Sequence, residues 1–349
     1  MVEILKQEVV VITGASAGVG RATARAFARR GAKLGLIARG IEGLDAAKRD
    51  VEELGGQAIV ISCDVADAKA VEQAAEQTEA AFGPIDIWIN AAFAGVMAPF
   101  LEVSPEDYKR VTEVTYLGQV YGTMAAVKRM TLRNRGTVVL VGSALAYRGI
   151  PLQSAYCGAK HAIQGFQDSL RSELLHARSK VHVSMVQLPA VNTPQFDWIK
   201  TTLPRKPKPA SPPYQPEVAA DAIYYAAHSR RKSVVVGFPT LKAIWGDHLF
   251  SSLLDRYLAR TAFNGQQDRE TIEPGRQNNL YQPVPGDHGA HGRFDRIARK
   301  RSLQLLLDKN RLILGTAATL LVALALDRWM NRDEEAGVLQ RRNWPEFRR

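Results

Sequence analysis

The sequence predicts an α/β fold, a doubly wound parallel sheet in a single domain with a C-terminal extension. Three observations carry that expectation. Short apolar runs alternate with helix-period segments from residue 8 to residue 237, an order that calls for a parallel sheet with helices on both faces. Near the N-terminus an apolar run passes through a glycine-rich turn into a helical segment, as at the start of such sheets. The chain has 349 residues, 46% of them hydrophobic, enough for one large core. The motif map places that core in residues 1–262, followed by a Pro/Gly-rich linker or draped arm at 263–302, an apolar helix at 303–330 and a basic tail at 331–349.

The first strand, residues 8–12, runs into Thr13-Gly14-Ala15-Ser16-Ala17-Gly18-Val19-Gly20 and then into a helix at 21–30. Gly14 permits the tight turn, Gly18 lets the backbone approach a pyrophosphate, and Gly20 allows close helix packing. Ser16 and Val19 complete the turn, and the helix N-terminus offers its free N–H groups to an anion. The second strand, 33–38, ends at Arg39. Helices are then expected at 41–54, 67–82, 105–133 and 156–177, separated by apolar runs opening at Ala58, Ile85, Thr137 and Val181. A helix at 217–228 and a last strand at 233–237 close the domain. Between them, residues 194–215 are rich in proline and lysine and too long for an ordinary connection, so they read as a lid with Gln195, Phe196 and Trp198 facing a pocket.

The chemistry sits late in this order. Ser143 ends the apolar run 137–142, where open α/β sheets place their functional groups. Thirteen residues on, Tyr156-Cys157-Gly158-Ala159-Lys160 opens a helix. Tyr156 and Lys160 are therefore i and i+4 neighbours on one face. Such a pair is common on any helix, and its meaning comes from Ser143 and the glycine turn. An adjacent ammonium is expected to lower the tyrosine pKa from about 10, making the phenol usable as a general acid or base.

Together these residues resemble the short-chain dehydrogenase/reductase family, over about residues 5–260. The resemblance implies a Rossmann-like domain, a nicotinamide dinucleotide, and proton exchange between Tyr156 and a substrate oxygen held by Ser143. It also implies that Lys160 lowers the tyrosine pKa and binds the nicotinamide ribose. Asp64 and Val65 match the family's contact to the adenine edge, Asn90 the first residue of its Asn-Asn-Ala-Gly motif, and Thr193 a contact to the nicotinamide amide or phosphates. Three positions depart from the pattern. Asn90 is followed by Ala91-Ala92-Phe93, Thr115 stands where the family carries a catalytic Asn in a proton relay, and Ala190 replaces a glycine after Pro189.

Arg39 bears on the choice of cofactor. An acidic residue at the end of the second strand would bind the ribose diol of NAD, whereas a guanidinium suits a 2′-phosphate. NADP(H) is therefore expected over NAD(H), with a small-molecule ketone or secondary alcohol as the partner substrate. Cys63 and Cys157 lack metal spacing and fit a reducing compartment. His288-Gly289-Ala290-His291 lacks a nearby third ligand, so no metal is expected. The chain opens directly into its first strand, and a cytoplasmic catalytic domain without a cleaved signal is expected.

The formal charge is +11, and residues 296–349 hold twelve Lys or Arg against six Asp or Glu. Residues 312–326 are uncharged over fifteen positions, slightly short of a membrane span, with Trp329 beyond them and cations on both sides. Attachment to a membrane surface, spanning or lying in the interface, is the expectation, with a buried helix or dimer contact as the alternative. Nucleic acid is not an expected partner, because the basic residues are not interleaved with stacking aromatics. The apolar segment 243–263 packs a partner subunit or roofs a pocket, and a homo-oligomer is expected. The functions in view are an NADP(H)-dependent oxidoreductase, a cofactor-binding sensor with little turnover, and an isomerase or epimerase of the same fold.

Overall fold

Seven parallel strands form the central sheet of the computed structural model, which describes residues 7–311 and Thr319. Their spatial order is β3 (Gln57–Ser62), β2 (Lys33–Ala38), β1 (Val9–Thr13), β4 (Ile87–Asn90), β6 (Thr137–Val141), β7 (His182–Gln187) and β10 (Ser233–Val235). All five residues of β1 and all six of β7 are buried, as a sheet covered on both faces demands. Chain order reverses between β1 and β4, where Thr13 lies beside both Ile37 and Asn90. A crevice opens at that switch point beyond the strand ends.

The flanking helices are α1 (Gly18–Ala28), α2 (Ile41–Glu53), α3 (Ala68–Phe82), α4 (Pro105–Thr112), α5 (Gly118–Leu132), α6 (Ser154–His176) and α8 (Pro216–His228). The continuous helix expected over 105–133 is interrupted. Residues Glu113–Leu117 form a π turn between α4 and α5. There the Thr115 hydroxyl is bound to the backbone of Ala94, and a Cβ on Gly118 would stand 2.7 Å from Val65.

The segment after β7 is more ordered than a proline-rich loop suggests. It holds α7 (Gln195–Trp198) and β8 (Lys200–Thr201), which pairs with β5 (Val96–Met97). It continues into β9 (Arg205–Pro207), which pairs with β11 (Gln267–Thr271). Between these, α9 (Phe238–Gly265) is kinked at Phe250 and buries only Thr240, leaving Trp245, Leu249, Leu253 and Tyr257 exposed.

Residues beyond β11 drape over the sheet's C-terminal edge. Leu280 is fully buried in the main core cluster, and Ala290 packs against Ala22 and Ala220. Burial of a leucine contributes about 2 kcal/mol, enough to anchor an otherwise polar arm. The arm also meets α1. Arg21, 2% exposed, pairs with Asp50 at 2.6 Å and with Asp287 of the arm at 3.1 Å. Its guanidinium also donates to the carbonyls of Ser16 and Gly43. Arg21 thus ties together α1, α2, the glycine turn and the arm.

The chain divides into two units at Ser302/Leu303, and the second contributes α10 (Leu303–Lys309) to the description. The apolar run 312–326 lies outside the described residues. Among those described, no helix is long and apolar enough to cross a membrane.

Replacing Arg21 by Met is expected to lower stability by ~2–4 kcal/mol, because Asp50 and two carbonyls lose a buried cation. Arg25→Met removes only the half-exposed partner of Asp50 and is expected to cost less than about 1 kcal/mol. Urea unfolding of both variants measures the difference.

Candidate active site

The glycine turn has no room for side chains. Gly14 and Gly18 take positive φ, at 70° and 56°. A Cβ on Gly14 would stand 2.8 Å from Ala92, and one on Gly20 would run into the carbonyl oxygen of Gly14. The turn therefore presents bare backbone at the start of α1, whose N-cap residue Ala17 supplies no side-chain bond, though the Gly18 amide donates to the Gly289 carbonyl at 3.0 Å. Helix N-terminal amides left in this way attract a phosphate. A cavity of about 460 Å³ lies against them.

That cavity brings most of the expected residues together. Gly14, Ser16, Gly18, Val19, Gly20, Arg39, Asp64, Val65 and Thr193 line it, and so do Ser143, Tyr156 and Lys160. Gln195, Phe196 and Trp198 line it as well. Phe93 closes on Tyr156 edge to face, ring centroids 5.8 Å apart.

Asn90 and Thr115 do not line the cavity. Asn90 is fully buried at the end of β4, where it donates to Thr123 at 3.1 Å and accepts from Trp88 at 3.0 Å. Its side chain braces β4 against α5, and the following Ala91, Ala92 and Phe93 border the cavity instead. The Thr115 hydroxyl donates to the Ala94 carbonyl at 2.8 Å and accepts from the Ala94 amide at 2.9 Å. Its one donor is spent, so it has no proton to pass toward Lys160.

Ser143, Tyr156 and Lys160 are placed by β6 and α6. Ser143 follows β6 and caps a short 3-10 turn, its oxygen accepting from the Leu145 amide at 3.1 Å. It also lies near enough to the Tyr156 oxygen to favour the tyrosinate. Lys160 lies one helical turn beneath the tyrosine, with Nζ 5.5 Å from the ring centroid and 2.6 Å from the Val141 carbonyl at the end of β6.

The electrostatics differ from the expectation. Burial dominates and raises the Tyr156 pKa well above the usual phenol value, against the lowering contributed by Ser143. Lys160, 2% exposed, is pushed down to about 7 by desolvation. An ammonium that is itself costly to charge in this environment does not dominate its neighbour. In this geometry Tyr156 rests as a phenol, with a lysine beneath it that titrates near neutrality.

Arg39 and Asp64 are both engaged. Arg39 donates to the carbonyls of Asn279, Leu280 and Tyr281, and Asp64 pairs with Arg110. The arm, which composition presents as a linker, is part of the site as well: Asn279, Pro283, Val284, Gly286 and His288 line the cavity. The signal available was Leu280 and Phe294, isolated apolar residues in a polar stretch. His288 stacks edge-on against Trp198, centroids 4.5 Å apart, while His291 bridges Glu217 and Asp295. Both cysteines are buried, and burial raises the pKa of each, Cys63 to about 11.

The depressed Lys160 pKa sets a pH dependence. Between about pH 7 and 10.5 the unfolded chain binds a proton at this lysine that the folded chain does not, so the folded state gains stability as pH rises through that window. The melting temperature of the wild type is therefore expected to rise relative to that of Lys160→Met between pH 7 and 10. Paired melting curves across that range check the sign.

A short chain dehydrogenase family model matches residues 8–203. The chain is 33% identical over 323 residues to an uncharacterized oxidoreductase, YxnA, of Bacillus subtilis strain 168, covering 92% of this chain and 90% of that one. A fatty acyl-CoA reductase of Acinetobacter baylyi is 29% identical over 295 residues, covering 82% and 96%. Two solved structures share the fold at 26% identity, each covering 66% of this chain and 96% of the other. They are a metagenomic short-chain oxidoreductase in complex with NADP, at TM-score 0.56, and an alcohol dehydrogenase of Thermococcus sibiricus complexed with 5-hydroxy-NADP, at 0.57. With a glycine cradle fit for a dinucleotide and Ser143, Tyr156 and Lys160 in the same cavity, the chain belongs to the short-chain dehydrogenase/reductase family of NAD(P)-dependent oxidoreductases.

Proposed function

We propose that this protein is an NADP(H)-dependent reductase of ketones on apolar substrates, running in the reverse direction as a secondary alcohol dehydrogenase. The observation that carries the reading is the convergence of Ser143, Tyr156 and Lys160 on one cavity with the bare backbone of the glycine turn. Bound there, a nicotinamide supplies or accepts the hydride. Gly14, Ser16, Gly18, Val19 and Gly20 would hold its phosphates, Val65 its adenine edge, and Thr193 and Lys160 its nicotinamide end. Arg39 supports a 2′-phosphate, and both structural neighbours above carry NADP or a derivative of it.

The chain's own residues handle the proton. Ser143 keeps one O–H with which to hold a substrate oxygen beside the phenol. Tyr156, protonated at neutral pH, donates its proton to the carbonyl oxygen as the carbon is reduced. Lys160 lies close enough to offset the tyrosinate charge as it forms. A phenol at rest suits reduction, since alcohol oxidation needs the deprotonated form. The substrate end is walled by Phe93, Met97, Leu145, Ile150, Phe196 and Ile199. Such a lining supports an apolar chain, and the fatty acyl-CoA reductase relative acts on a substrate of that kind.

One observation favours a second reading, a cofactor-binding protein with little turnover: the Thr115 hydroxyl is spent on Ala94. Isomerase or epimerase chemistry would leave bound cofactor unconsumed. Carbonyl-dependent NADPH oxidation by the purified protein separates these readings. The reductase is expected to lose at least about 100-fold of that rate on Tyr156→Phe. Alcohol oxidation should climb with pH above neutrality while reduction stays flat, because burial raises the tyrosine pKa. Turnover unaffected by Tyr156→Phe would sink the assignment.

The proposal extends to the domain plan, with residues 1–262 and the arm that lines the cavity as the catalytic part, and the segment from 303 holding the protein at a membrane surface. The basic flanks of the 312–326 run support this. Full-length protein should pellet with anionic vesicles, and a chain ending at Ser302 should not.

A further inference from the structure

The dinucleotide cleft has a covering segment that the sheet and its helices do not supply. Residues Asn279–Phe294 run along it, with contacts at three stations. At the end nearest β2, the carbonyls of Leu280 and Tyr281 accept from Arg39 Nη1 at 3.2 and 2.9 Å, and that of Asn279 accepts from Nη2. The Leu280 carbonyl also accepts from Arg110 Nε at 3.1 Å, and Arg110 in turn holds Asp64. In the middle, the Gly289 carbonyl accepts from the Gly18 amide of the glycine turn at 3.0 Å. At the far end, Asn192 donates to Asp295 at 2.8 Å and accepts from the Phe294 amide at 3.0 Å, while Gly292 lies so close to Thr193 that a Cβ would strike its carbonyl.

These stations match the length of the site itself: the end of β2, the turn at α1, and the Pro189–Thr193 segment. The arm is held there by groups outside the cavity, namely Asp287 on Arg21, Glu42 on the Gly286 amide, and Tyr281 on Asp107 at 2.9 Å. It also touches the lid, where the Asn279 amide donates to the Trp198 carbonyl at 3.0 Å.

Resting on the dinucleotide reading above, we propose that Asn279–Phe294 is the outer wall of the cofactor site, which positions Arg39 for a 2′-phosphate and must loosen for cofactor to leave. Backbone carbonyls orient the guanidinium without neutralising it. Among the described residues they engage Nη1 and Nη2 and leave Nε without a partner, so the arginine keeps its charge and a donor for a phosphate. With Arg110 beside it and Asp64 as the one adjoining carboxylate, the local balance stays positive. The arm is thus a positioning and specificity element, acting through Arg39.

The test uses the full chain and two cofactors. Glu42→Ala combined with Asp287→Ala removes two tethers, neither of which lines the cavity. Stopped-flow displacement reads NADPH and NADH release, and hydrogen exchange reads the amides of 279–294. In the wild type, NADPH should slow exchange in the arm. In the double variant those amides should exchange faster and NADPH release should quicken about tenfold, with a smaller change for NADH. The proposal is overturned if NADPH leaves arm exchange in the wild type unchanged, or if a loosened arm releases NADPH at the wild-type rate. Wild-type protein that binds neither cofactor would instead remove the dinucleotide reading, and the arm proposal with it.

Discussion

The electrostatics of this site turn on a lysine buried beneath a tyrosine. Lys160 has lost nearly all contact with water, and its Nζ rests on the carbonyl that ends β6. Desolvation brings its titration to about 7, so a modest change in surroundings decides whether it carries a charge. The phenol above it is raised by the same low-dielectric setting. Neither group is ionised at comfortable cost while alone. Each becomes easier to ionise when the other does, because opposite charges at this separation attract strongly away from water. The sheet supplies the geometry, since β6 places Ser143 and the Val141 carbonyl while α6 places Tyr156 and Lys160.

Much of this was legible in the sequence because its signals are local. The strand, glycine turn and helix at residues 9–28 are specified by contiguous residues, and so is the i to i+4 pair on α6. Ser143 could be placed because a buried strand announces its own end. Other parts depend on contacts between distant residues. Asn90 matched a motif, yet its side chain turned inward to Trp88 and Thr123 once β4 and α5 packed together. Thr115 matched a position, but its hydroxyl found the Ala94 backbone. The direction of the tyrosine shift is not legible in the sequence, because spacing reveals a neighbouring charge and says nothing about how deeply both groups are buried.

The arm is the largest feature that composition obscured. Proline, glycine and polar residues describe a linker, and for much of 263–302 that is a fair account of its surface. Its few apolar and carboxylate residues nevertheless find buried partners, Leu280 in the core and Asp287 on Arg21. Its backbone carbonyls bind arginines that the sequence had assigned to other partners or to none. Carbonyls are invisible to motif reading, because every residue carries one.

The distance along the chain between the two sides of the cleft has a consequence for biosynthesis. Arg39 and the carbonyls it binds are separated by 240 or more positions. On the ribosome, strands β1 to β4 emerge and begin to pack long before the arm exists. A nascent chain therefore lacks the arm, which the proposal above makes one side of the nucleotide pocket, until residues 279–294 have emerged, and ligand binding stabilises only a state that can bind. Nucleotide capture on that proposal acts only after the arm is made and gives little help to the early folding of strands β1 to β4.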